Sequence, residues 1–156
     1  MHPYRKLILM TTVSSVLMYC LMYGNTYQLS HVWFSQTRMF MTFIMAGSMA
    51  LVMLLFMGDM YKDKTANLAI VLGSFALMGS GVWLVRIQAT VGDVAWMKAM
   101  IPHHSIAILT SERAGIKDPR LMKLAAEIVA AQRREISEME TLIGALGSQA
   151  PGARGQ

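Results

Sequence analysis

Met39-Phe-Met41-Thr-Phe-Ile-Met45-Ala-Gly47-Ser48-Met49-Ala-Leu-Val-Met53-Leu-Leu-Phe-Met57 contains no charged residue and no proline. A run this long and this apolar satisfies its backbone polar groups in a bilayer only as a helix, and its length matches the hydrocarbon thickness. Similar uncharged runs lie on either side of it, at residues 7–23 and 66–85. The sequence therefore predicts an all-α protein whose residues 1–87 form a membrane anchor of three transmembrane helices, about 7–23, 39–57 and 66–85. Composition agrees, with 54% hydrophobic and 15% charged residues and a mean hydropathy of +0.43. A soluble domain of this length carries more charge. Arg5 and Lys6 before the first run give it the look of a signal peptide, but no small-x-small cleavage site follows its apolar core, where Tyr19, Cys20, Met22 and Tyr23 stand. An uncleaved span is expected.

The flanking bases set an orientation. Arg5, Lys6, Lys62 and Lys64 fall on one side of the three runs, and Arg38 and Arg86 on the other. Positive charge marks the cytoplasmic side. The reading is a bacterial inner-membrane protein with its amino terminus in the cytoplasm and everything after Arg86 periplasmic or otherwise extracytoplasmic. Tyr23, Tyr27, Trp33 and Trp83 would form an aromatic belt at the outer face. Met41, Met45, Met49, Met53 and Met57 make a four-residue ladder, which reads either as apolar packing or as a thioether path for a soft cation. Gly47, Gly73, Gly79 and Gly81 suit close packing of helices.

The net charge of +5 does not describe a nucleic-acid-binding face. Between residues 88 and 146 every base is matched by an acid, and the excess flanks the apolar runs or sits at Arg154. No nucleic-acid partner is expected; the bilayer is. The lone Cys20 excludes an intrachain disulfide and a thiolate zinc site.

Beyond residue 87 the pattern turns amphipathic. Residues 88–146 read as a helical hairpin, with Thr90 or Asp93 capping the first helix. Gly115 and Lys117-Asp118-Pro119 form the turn, and Asp118 caps a second helix with Pro119 at its first position. Gly144 and Gly147 should end it, leaving residues 147–156 as a disordered tail. Two helices so joined pack antiparallel. A hairpin this short buries too little to stand alone, so a homodimer completing a four-helix bundle is expected.

The first hairpin helix carries Met97-Lys-Ala-Met100-Ile-Pro102-His103-His104. Met100 lies three and four residues before the two histidines, so both rings can share its surface. Pro102 removes a helical hydrogen bond and kinks the helix between methionines and histidines. Folding the hairpin brings Met139 opposite, with Gln132 on the same face to orient an imidazole. Met97, Met100, His103, His104 and Met139 are the candidate metal ligands. Thioether plus neutral imidazole suits copper, above all Cu(I). Zinc would want thiolate or carboxylate company that this face lacks, and the Glu-x-x-His of a di-iron site is absent. Adjacent histidines point about 100° apart on a helix, so one can face the core and the other the rim.

Met97-x-x-Met100-Ile-Pro-His103-His104-x-x-Ala107-Ile108, followed by Pro119-x-Leu121-x-x-Leu124-Ala125-x-x-Ile128-x-x-x-Gln132-x-x-Glu135-Ile136-x-x-Met139, resembles the family called domain of unknown function 305. The resemblance implies a ferritin-like helical bundle, secreted or membrane-anchored in bacteria and associated with periplasmic copper binding and resistance. It implicates Met97, Met100, His103, His104 and Met139 as the copper-facing set. Many members carry two such hairpins and this chain has one. Leu109 stands where the family often has a methionine, and Thr141 where a tryptophan often follows. The function expected is that of a membrane-anchored extracytoplasmic copper-binding protein in metal tolerance, trafficking or storage, and not an enzyme, since nothing resembles an activated nucleophile or an acid–base pair. The alternative is a structural or partner-docking protein of the cell envelope that holds no metal.

Overall fold

The computed structural model describes residues 2–148. Five α-helices, α1 (Pro3–Leu21), α2 (Gln36–Phe56), α3 (Lys64–Ile87), α4 (Asp93–Arg113) and α5 (Pro119–Ser148), account for most of them, and no strand occurs among the described residues. The chain divides into two compact units. One combines residues up to 22 with 36–90; the other combines 23–35 with those from 91 on.

In the first unit α3 runs back along α2. The closest approaches are at two glycines. A Cβ at Gly47 would meet the Ser74 carbonyl oxygen at 2.7 Å, and one at Gly81 would meet the Phe40 carbonyl oxygen at 2.8 Å. Gly73 and Gly79 face open space, so only two of the four glycines expected to serve packing do so. Asp63 starts α3 by accepting from the amides of Thr65 and Ala66, at 2.9 and 3.1 Å. Gln88 ends it in the left-handed conformation, φ 55°.

Helix α1 lies antiparallel along α2. At one end the Tyr4 hydroxyl donates to Asn67 Oδ1 (2.8 Å) and accepts from the Asp63 amide (3.0 Å). Midway the Thr11 hydroxyl meets the Met53 sulfur (3.8 Å). At the other end the Arg38 guanidinium donates to the Met22 carbonyl, placing positive charge at the negative end of α1. The chain therefore leaves this unit after α1, before α2 and after α3 at the same end.

Two helices, α2 and α3, are long and apolar enough to cross a membrane. The expectation of three such spans is corrected at α1. Its first turn holds Arg5 and Lys6, and Thr11, Thr12, Ser14 and Ser15 interrupt its middle. The helix stops at Leu21, so its uncharged part extends only about 22 Å at 1.5 Å per residue, short of a hydrocarbon core of about 30 Å.

Burial in this unit does not follow hydropathy. Ser15, Arg38, Thr42 and Ser74 are buried beside Leu7, Phe40 and Tyr61, while Leu55, Phe56, Leu72 and Phe75 are exposed. The ladder methionines of α2 are half-buried or exposed.

The second unit is the antiparallel pair α4 and α5, packed through Met97, Ile101, Ile108, Ile136 and Met139. These residues recur at helical spacing on the facing sides. Gly92, with no side-chain bond, precedes α4, so neither Thr90 nor Asp93 caps it. Asp118 does cap α5, accepting from the Arg120 amide at 2.8 Å. Helix α5 continues through Gly144 and Gly147 to Ser148, beyond the expected end; the rest of the expected tail, 149–156, lies outside the described residues. Residues 23–35, assigned to the anchor by sequence, pack on the hairpin instead.

Candidate metal centre

Helix α4 passes through Pro102 without a break. Pro102 is fully buried, and its missing N–H leaves the Lys98 carbonyl without its usual helical donor. Two residues on, His104 is 9% exposed. Its Nδ1 lies 3.0 Å from the Met100 carbonyl oxygen, and its Nε2 lies 2.6 Å from Glu135 Oε2 on α5. A carbonyl on one nitrogen and a carboxylate on the other are both satisfied by a doubly protonated ring, or by a neutral ring against a protonated carboxyl. The carbonyl contact holds the ring so that Nε2 faces α5, the second contact that orients metal-binding imidazoles.

The other four candidates fall in different places. Met97 and Met139, 5% and 7% exposed, belong to the shared core of the hairpin, and Met100 packs against it. His103 is exposed; its ring centre lies 6.2 Å from that of His104 and is inclined by 63°. The two histidines thus diverge as their adjacency requires. Among the described residues no three histidine, cysteine or carboxylate side chains gather as a metal cage. The fold sets one buried imidazole between a backbone carbonyl and a carboxylate, and it places two thioethers in the hairpin core with a third packed against them. Glu135 sits across from the ring, with half of its side chain exposed.

Two expectations change here. Glu135, not Gln132, holds the imidazole, because it lies one turn further along α5, level with His104. The face therefore does carry a carboxylate, which removes the ground on which zinc was set aside. Nε2 becomes available to any cation only when Glu135 swings out or joins it as a ligand. The partial exposure of Glu135 gives room for either.

The sequence reading missed the segment 23–35. Ser105, fully buried next to His104, accepts the Tyr27 amide at 2.7 Å and contacts His31 Nδ1 at 2.9 Å. His31 is itself buried, in a 3₁₀ turn at Leu29–His31. The Tyr27 ring carries the Arg133 guanidinium at 5.2 Å, and the Trp33 ring carries Lys98 Nζ at 5.4 Å. Arg133 also donates to Glu112 at 2.6 Å. That bond, with a smaller part from the Tyr27 hydroxyl, holds the Glu112 carboxyl below the usual carboxylate range. The Arg120 bond does the same for Asp118. Tyr27 and Trp33, read as belt aromatics, bind bases of the hairpin. The dense run of Tyr23, Tyr27, His31 and Trp33 was the available signal.

Residues 78–154 match the family model described as Domain of unknown function (DUF305), a stretch that begins within α3 and takes in the whole hairpin. An uncharacterized protein of Acanthamoeba polyphaga mimivirus is 41% identical over 64 residues, covering 40% of this chain and 42% of that protein. The match thus spans less than half of the relative's length. No solved structure matches this chain.

Proposed function

With residues 78–154 belonging to the domain of unknown function 305 family, we propose that the chain is a membrane-anchored, extracytoplasmic copper-binding protein acting in metal tolerance, trafficking or storage. What supports this reading is that Met97 and Met139 share the hairpin core with Met100 packed against it, and that the backbone carbonyl of Met100 holds the His104 ring at 3.0 Å. Thioethers and an imidazole are soft and borderline donors, which favour Cu(I). Copper is cargo on this reading, and the protein binds rather than catalyses. His103 serves at the exposed rim.

The anchor is the pair α2 and α3, with α1 alongside. Their exposed leucines and phenylalanines form an outer surface suited to lipid. Lys62 and Lys64, at the α2–α3 connection, are the cytoplasmic bases of a bacterial inner membrane. Residues 23–35 and the hairpin then emerge together on the far, periplasmic side, because the chain leaves the anchor for both at one end. A homodimer would pair two hairpins into a four-helix, ferritin-like bundle.

Titrating the full chain in detergent with Cu(I) against a chromophoric chelator tests the reading. The wild type should outcompete a variant carrying Met100→Leu, His104→Ala and Met139→Leu together by at least about tenfold. Equal, weak binding by both would leave the second reading, a partner-docking envelope protein without metal. That reading has its own support: both nitrogens of His104 already have partners.

A further inference from the structure

The hairpin buries one stripe of α5 and leaves a second, adjacent stripe uncovered. Leu121, Leu124, Ile128, Leu142 and Leu146 are 37–54% exposed, and at 100° per residue they fall within an arc of about 60°. Glu135 lies in the same arc. An apolar row of this length on a hairpin is an interaction surface rather than scattered exposure.

The charges along its outer border say what fits there. Arg120, Lys123, Glu127, Arg134 and Glu138 share that border, within a further arc of about 60°; Arg120 is already paired with Asp118 at 2.8 Å, which leaves the other four. Lys123 and Glu127 face each other at 4.0 Å with both side chains exposed. The order of signs is plus, minus, plus, minus, and it inverts when the helix is read backwards. A second α5 laid parallel about a two-fold would turn this border toward the opposite edge of the partner's stripe, so the four charges would not meet. Laid antiparallel, with a two-fold axis between residues 130 and 131, it sets Lys123 against Glu138 and Glu127 against Arg134. Each pair then occurs twice. Ala131 stands on this face at the axis, where a small side chain lets the helices approach closely.

We propose that this face of α5 docks a second copy of the chain, antiparallel, about an axis between residues 130 and 131. The proposal rests on the homodimer part of the reading above and adds to it a face and a register; it does not assume that metal binds. Docking covers Glu135, whose charge already has His104 as partner, so the closed interface leaves no lone carboxylate.

The test uses the full chain in detergent with Cys20→Ser. Ala131→Cys should form a disulfide-linked dimer on mild oxidation, and Ala126→Cys, on the opposite side of α5, should not. Glu127→Arg should weaken self-association, read by sedimentation, by roughly five- to tenfold at low salt. Adding Arg134→Glu should restore it, since the exchange of signs recreates the pairs; a folding defect would not be rescued this way. A chain that stays monomeric, a dimer without the 131 cross-link, or a double variant no better than the single would each overturn the proposal. Loss of Cu(I) binding with the 131 cross-link intact would instead sink the metal reading alone.

Discussion

The two units differ in the balance of residues they bury. In the helices α1 to α3 the interior holds glycine, serine, threonine and an arginine beside Leu7 and Phe40, while Leu55, Phe56, Leu72 and Phe75 point outward. In the hairpin the interior is isoleucine and methionine, and the charges point outward. The same chain thus uses two packing rules. Where lipid is the solvent, apolar side chains gain little by turning inward, and close backbone approach through small residues holds helices together. Where water is the solvent, apolar burial does the work, and polar contacts such as Ser105 with His31 fix how segments attach.

Substitutions should separate the two rules. Ile101→Ala, at a fully buried site in the hairpin, should cost about 2–5 kcal/mol, seen as loss of the hairpin's protection in hydrogen exchange while α2 and α3 stay protected. If α2 and α3 unravelled as well, the division into two units would be broken. Gly47→Leu should cost about 1–3 kcal/mol or more, because the new side chain meets the Ser74 backbone. Gly73→Leu should be close to neutral, and thermal unfolding in detergent would distinguish the two.

Ser105→Ala removes the hydroxyl that serves both the Tyr27 amide and His31. It should cost about 1–3 kcal/mol, read as faster amide exchange confined to residues 23–35. The smallest effect is expected at the rim. The carboxyl of Glu112 is held low by Arg133, so its contribution is present above the ordinary carboxylate range and is lost as pH falls through its lowered value. Proteolysis of the 23–35 segment should therefore quicken in acid, and Glu112→Gln should flatten that dependence. An unchanged acid profile in the variant would show that Arg133 and Tyr27 hold the segment without it.

The hairpin was legible because each of its signals is local. Asp118-Pro119 marks a helix start whatever surrounds it, and the spacing of Val129, Ile136, Met139 and Ile143 follows the side that joins the hairpin core, while Leu121 and Ile128, at the same helical spacing, stay exposed. The divergence of His103 and His104 follows from helix geometry alone. The α1 boundary was less legible, since an uncharged run says nothing of where its helix stops.

Sequence by itself determined the all-helical architecture, the turn at residues 114–118 and the membership of residues 78–154 in their family. These depend on periodicity, caps and motif order, which are properties of neighbours along the chain. Only the tertiary structure decided that Glu135 answers His104 across the hairpin, that His31 closes on Ser105, and that Gly47 and Gly81 are the glycines at which α2 and α3 touch. Those pairings join residues separated by 31 to 74 positions or set on different helices. Their geometry depends on the rotation of one helix against another, which no local pattern encodes.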